Sequence, residues 1–300
     1  MSLWIIPAGA VALATLLLIA AVGMSFFFTR RHHLVETRCP AELRLAFENV
    51  TFRTDDGLLL RGWWVPAPGS DRAILQLHGY AGSMDPDIQY LPAWHAAGLN
   101  VLLFDFRAHG RSEGRVTTFG YLERYDVQGA IRFLQQEKGM RRIALVGFSL
   151  GAMVSILSAP LCPGVDAVVA DGSPARIRSA LTVWGQEHHL PAWLAPLPAW
   201  LAIAGASLRL RANLFRYEPV RWAGKVTCPL LIIHGELDQY CPDFEELLAA
   251  ARPTELWRVA GVGHVQASQV YPDAYRERVV AFLRRHLEGP GDPSTGEDKG

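Results

Sequence analysis

The sequence predicts an α/β fold, a mostly parallel central sheet with helices on both faces, preceded by one membrane-length helix and interrupted by a helical cap. Three patterns carry this reading. Apolar runs of strand length alternate with segments of helical period, which places parallel strands in the middle of a layered core. Residues 3–28 contain no charged side chain. A segment at about 173–224 breaks the alternation, with four of the nine tryptophans and no strand-like run.

The first element is the run at 3–28. At 1.5 Å per residue a helix of this length would extend about 39 Å, more than the roughly 30 Å of bilayer hydrocarbon. Thirteen of its residues are Leu, Ile, Val or Phe, each favourable by about 0.3–0.6 kcal/mol near a helix centre, which outweighs Pro7, Thr15 and the glycines. No basic region precedes it, so an uncleaved anchor over residues 1–30 is expected rather than a cleaved signal. Arg30, Arg31 and Arg38 follow the run, so the positive-inside rule leaves the C-terminal bulk of a single-pass membrane protein on the cytoplasmic side. On this reading, deletion of the residues before about Leu34 releases a soluble, active body.

Strands at 47–54 and 58–65, joined by the type I′ hairpin signal Asp56-Gly57, are expected to pair antiparallel at one edge of the sheet. Buried strand runs follow at 73–77, 101–106, 143–147 and 167–170, and then at 230–233 and 255–259 after the interruption. Helical stripes lie between them, clearest at 121–136, where Leu122, Tyr125, Val127, Ala130, Ile131, Phe133 and Leu134 share one face. Residues 273–287 repeat that pattern. Structureless loops beyond about 15 residues are uncommon, so the interruption reads as a helical cap inside a domain covering 34–287. Residues 288–300, rich in Gly, Pro, Ser and charge, read as a disordered tail.

Composition removes several function classes. Lys plus Arg number 29 and Asp plus Glu 29, for a formal net charge of zero, and 19% of the chain is charged, against about 25% in a typical soluble protein. That balance argues against a nucleic-acid partner bound by phosphate neutralisation. The four cysteines, Cys39, Cys162, Cys228 and Cys241, have neither metal-site spacing nor the density of a disulfide framework, and read as free thiols. Cys241 reads as a small apolar filler. His188 and His189 stand beside Glu187 without His-Glu-x-x-His spacing, so no metal site is expected there.

The chemistry begins after the strand run at 143–147. Gly147-Phe148-Ser149-Leu150-Gly151 is Gly-x-Ser-x-Gly in a strand-to-helix context. The spacing has a steric cause: the turn holds Ser149 in a strained backbone conformation, and the positions two before and two after must lack side chains for helix and strand to pack. Other strand ends carry His78-Gly79-Tyr80, the Asp105-x-Arg107-x-x-Gly110-x-Ser112 segment, His234-Gly235-Glu236-Leu237-Asp238 with Pro242 beyond it, and Gly261-Val262-Gly263-His264.

In this order the motifs resemble the α/β-hydrolase superfamily over nearly all of residues 59–287, and a membrane-tethered body with a compact cap is similar to its BEM46-like and ABHD-type serine hydrolases. The resemblance implies Ser149 as nucleophile, Asp238 as acid and His264 as base, in the chain order of this fold. It also implies that the backbone N–H groups of Tyr80 and Leu150 face the oxyanion. Asp171, after the strand at 167–170, is the competing acid. His78, His109 and His234 each precede a glycine and read as loop residues bonding their own turns. Asp105 and Asp126 read as strand-end and helix-start carboxylates.

The function expected is a membrane-anchored serine hydrolase that cleaves a carboxylic ester or thioester, possessing no cofactor and acting on a small-molecule or lipid-like acyl substrate. A peptidase or amidase on the same residues is the alternative within enzymes. A catalytically silent, membrane-tethered binding protein is the alternative outside them, and it predicts a missing member of the set.

Overall fold

The computed structural model describes residues 8–34 and 37–288. The tail expected from 289 onward and the first residues of the expected anchor lie outside that range. The chain opens with helix α1 (Ala8–Thr29). It continues through β1 (Glu48–Arg53), β2 (Leu59–Val65), β3 (Arg72–Leu77), α2 (Leu91–Ala96), β4 (Asn100–Phe104), α3 (Glu123–Gln136), β5 (Arg142–Phe148), α4 (Leu150–Ser158) and β6 (Val165–Asp171). The cap follows as α5 (Ile177–Glu187), α6 (Pro196–Arg209) and α7 (Pro219–Trp222), and the body resumes with β7 (Leu230–Gly235), α8 (Phe244–Ala250), β8 (Glu255–Val259), α9 (Ala267–Val270) and α10 (Pro272–Leu287).

These eight strands form one sheet in the order β1-β2-β4-β3-β5-β6-β7-β8. β1 pairs β2, and β2 pairs β4, antiparallel; every pair from β4–β3 to β7–β8 is parallel. The parallel strands β3 to β7 are buried on both faces, which is why they read as largely apolar runs rather than alternating ones, while β8, at the edge, is partly exposed. On one face α3, α4 and α8 pack through Val127, Ile131, Met153, Ile156 and Leu247 against Leu75, Leu145 and Val168. On the other, α2 and α10 pack through Leu91, Trp94, Val279 and Phe282 against Ile74, Val146 and Val169. Every expected strand is present to within two residues or so, and the cap is helical.

Two expectations need correction. The β1–β2 connection is not a type I′ turn, which requires positive φ at both central residues. Only Gly57 has it, at 92°. Its N–H bonds the Thr54 carbonyl at 3.0 Å while the Thr54 N–H bonds the Leu58 carbonyl at 2.9 Å, so a glycine bulge closes the turn.

The second correction concerns the anchor. No boundary separates it from the domain near residues 30–34. Ala21, Ser25, Phe28 and Thr29 of α1 are buried, and Phe28 belongs to the core cluster on the α3/α4 face. Beyond the helix the chain docks on the loop after β4: Thr117 N–H bonds the Thr29 carbonyl at 3.0 Å, His32 N–H the Ala108 carbonyl at 2.7 Å, and Gly110 N–H the His32 carbonyl at 3.0 Å. One face of the last two turns of α1 is therefore part of the protein core, while Phe26 and Phe27 on the other face stay exposed.

Candidate active site

The site is built at the C-terminal rim of the sheet. Ser149 joins β5 to α4 with φ 52° and ψ −109°, a conformation that strains a side-chain-bearing residue. The flanking glycines are required by contact. A Cβ on Gly147 would lie 2.3 Å from the backbone of Gly151, and one on Gly151 would lie 2.0 Å from the Leu77 carbonyl oxygen. The Ser149 N–H is held by the Asp171 carbonyl at 2.9 Å, so the turn is pinned to the neighbouring strand end.

The loops after β7 and β8 complete a relay. His264 Nε2 lies 2.8 Å from Ser149 Oγ, and its Nδ1 lies 3.0 and 2.8 Å from the two oxygens of Asp238. A carboxylate only accepts, so Nδ1 carries the proton and Nε2 accepts from the serine hydroxyl. The Asp238 side chain is fully buried while that of His264 is 24% exposed, so the base meets solvent and the acid does not. Tyr240 N–H bonds Asp238 Oδ1 at 2.9 Å. The structure brings these three side chains, far apart in sequence, into one chain of hydrogen-bond contacts.

Leu150 directly follows Ser149, and Tyr80 follows Gly79, which approaches the Ser149 side chain. Leu150 opens α4, where the first N–H groups have no intrahelical partner, and a Cβ on Gly79 would lie 3.7 Å from that of Ser149. Among the described residues neither N–H donates a backbone hydrogen bond outside helices and strands. Two neutral histidines fix the Tyr80 turn. His78 Nε2 accepts from Phe106 N–H at 3.0 Å and Nδ1 bonds the Gly79 carbonyl at 2.7 Å. His109 Nε2 accepts from Ala81 N–H at 3.3 Å and Nδ1 bonds the Arg107 carbonyl at 2.9 Å. Burial pushes both imidazoles down to about 4. His234 is a packing residue, stacked on Phe244 at 3.6 Å.

Asp171, the competing acid, makes neither contact to His264. Burial pushes its carboxyl up to about 7, only partly offset by the Tyr275 hydroxyl. A carboxyl with a raised folded pKa contributes stability that is fully present below about pH 4 and is lost as pH rises toward 7, by roughly 1.4 kcal/mol per pH unit at most. Asp171→Asn removes that titration. Its melting temperature relative to wild type is therefore expected to rise between pH 4.5 and 7.5 while activity persists; a gap independent of pH would contradict the assignment.

Sequence reasoning missed five contributors: Gly172, Tyr240, Glu187, Phe28 and Trp184. Gly172, with φ 67°, leaves room for His264: a Cβ there would come within 3.2 Å of Cε1. Tyr240 braces Asp238 and reaches Glu187 of the cap through its hydroxyl. Phe28 of α1 accepts from the Tyr80 hydroxyl at 2.8 Å and meets Trp184 of α5 edge-on at 5.0 Å between ring centroids. Only Gly172, directly after a strand end, left a sequence signal.

His234, Asp238 and Cys241 bring ligand-type atoms within 4.8 Å of one another. Burial pushes the Cys241 thiol well up, and the Asp238 charge adds to this. Asp238 is also committed to His264 and Tyr240. His234 and Cys241 thus pack beside the acid.

The chain belongs to the alpha/beta hydrolase family, whose model matches residues 74–278. It is 34% identical over 226 residues to the uncharacterized protein Rv2307c of Mycobacterium tuberculosis, covering 73% of each chain. It is 29% identical over 236 residues to the uncharacterized protein YqkD of Bacillus subtilis, covering 76% of each. Among solved structures, the Pyrococcus furiosus esterase Pf2001 superposes with a TM-score of 0.72 at 27% identity, covering 87% of this chain and 99% of that one. Hydrolysis is the activity that this membership and this neighbour support.

Proposed function

We propose that the protein is a membrane-anchored serine hydrolase that cleaves a carboxylic ester or thioester through an acyl-enzyme. The observation that carries this reading is the continuous relay from Ser149 Oγ through the imidazole of His264 to Asp238, with contacts of 2.8 Å on either side of the ring.

As Ser149 Oγ bonds the acyl carbon, its proton passes to His264 Nε2, and Asp238 stabilises the imidazolium. The carbonyl oxygen becomes an oxyanion facing the N–H groups of Tyr80 and Leu150, each such donor being worth about 100- to 1,000-fold in rate. Collapse of the tetrahedral intermediate breaks the bond to the leaving alkoxide or thiolate, which takes the proton from His264. Water then repeats the sequence on the acyl-enzyme, and Ser149 regains its proton.

An apolar acyl group fits the surroundings. Phe28 packs on Trp184 of the cap and Tyr80 packs on Phe119, and each buried methylene contributes about 0.8 kcal/mol. α1 carries a span at Gly9–Thr29 with mean hydropathy 2.4, long and apolar enough to cross a bilayer. Hydrolysis of p-nitrophenyl esters from acetyl to palmitoyl, repeated with a thioester and an anilide, tests the reading. Turnover rising with chain length and absent on the anilide is expected. Acetyl preference would overturn the lipophilic substrate, and faster anilide cleavage would overturn the ester class.

A further inference from the structure

We propose that the cap is a second membrane-contacting element, with α6 lying at the lipid–water interface beside α1. This inference rests on the reading of α1 as a membrane anchor. Residues 190–208 carry no Asp, Glu, Lys or Arg, and α6 is apolar on every side up to Ser207 and its last residue, Arg209. Its inner face, Ala199, Ala202, Ile203 and Ala206, is buried against the body and α1, while Leu197, Trp200 and Leu208 are 46%, 51% and 62% exposed along one outward stripe. Trp193, just before the helix, is 81% exposed. A helix without a polar face needs an apolar cover on its outer side.

The packing of α1 says what that cover is. Gly205 brings α6 into backbone contact with α1, since a Cβ there would lie 2.1 Å from the Ala21 carbonyl oxygen. One turn further on, Arg209 bonds Ser25 at 3.3 Å and reaches Thr29, and its guanidinium sits 4.1 Å over the Phe26 ring. The two helices therefore run in the same sense, joined by small residues as membrane helices often are. From Ala21 onward α1 is built into the protein, whereas residues 9–20 are exposed throughout. The stretch of α1 free to enter lipid thus ends one residue before the contact with Gly205. α6 begins nine residues before Gly205, about 13 Å along its own axis, on the side to which the exposed half of α1 runs. An anchor entering the bilayer there sets the stripe of α6 on the membrane surface.

The side chains suit that level. Trp193 and Trp200 are the residue type enriched at interfaces. Arg209 and Arg211 directly follow the uncharged segment, and Arg30 and Arg31 follow α1, which puts basic groups where anionic headgroups would lie. The bilayer would hold the cap over Ser149 through Glu187 and Trp184, which touch Tyr240 and Phe28.

The test uses the full chain in phosphatidylcholine–phosphatidylglycerol vesicles, with a diazirine-bearing residue placed singly at position 16, 200, 208 or 278 and illuminated. Lipid adducts at Leu16, Trp200 and Leu208, and their loss at the exposed Arg278 of α10, are expected. Adducts at Leu16 with none at Trp200 and Leu208 would overturn the proposal and leave the anchor standing. Crosslinks between two copies of the chain at Trp200 in place of lipid adducts would also overturn it, because a second copy would then cover the stripe. No adduct at Leu16 would remove the anchor itself, and the inference with it.

Discussion

Ser149→Ala is expected to lower turnover of an activated ester by on the order of a million-fold, and His264→Ala by a similar amount, because nucleophile and base act as one unit. Neither residue supports the fold in a way that would mimic this loss. The Ser149 backbone, not its hydroxyl, holds the turn through the Asp171 carbonyl, and the His264 side chain is partly exposed. Asp238→Asn keeps the shape of the acid but offers the ring the wrong partner, and should cost about ten-thousand-fold. Measured kcat on p-nitrophenyl butyrate with melting temperature in parallel separates chemistry from folding. A variant of any of the three that retained wild-type kcat would remove that residue from the relay.

Deleting residues 1–33 is expected to leave a protein that fails to fold or melts far below the full chain, contrary to the expectation drawn from hydropathy alone. Phe28 is 4% exposed, and removing a buried phenylalanine side chain typically costs about 3–5 kcal/mol. The deletion also strips the Tyr80 hydroxyl of its acceptor and breaks the backbone bonds made by Thr29 and His32, each worth about 1 kcal/mol. Together these approach the roughly 5–15 kcal/mol that holds a typical domain together. Deleting only residues 1–20 spares all of them and should yield a folded, active protein. Soluble yield and thermal melting of both truncations in mild detergent check this; a shorter chain, lacking residues 1–33, that melts with the full protein would contradict the packing of the last turns of α1 into the core.

The contrast between sheet and anchor shows what a sequence can carry. The strand runs from 73–77 to 230–233 were legible because strands buried on both faces are largely apolar and stop at turn residues. Gly147-x-Ser149-x-Gly151 was legible because its glycines answer a clash of backbone atoms, which no other residue type could avoid. α1 was legible as a helix but not in its placement: an uncharged run looks the same whether lipid or protein covers it, and Phe28 in the core reads like Phe26 outside it. Tyr240 and Glu187 escaped because their roles depend on where two loops meet, which neither periodicity nor motif encodes. Asp56-Gly57 named a turn correctly but not its type, since Asp56 need not adopt positive φ when a bulge can absorb the twist.

A serine-directed fluorophosphonate probe tests the central claim most directly, because it reports an activated hydroxyl without requiring knowledge of the substrate. The full-length protein is predicted to label covalently on Ser149, with labelling lost in Ser149→Ala and reduced in His264→Ala. No labelling of the folded wild type, or equal labelling of wild type and Ser149→Ala, would contradict the assignment of this relay as the hydrolytic centre.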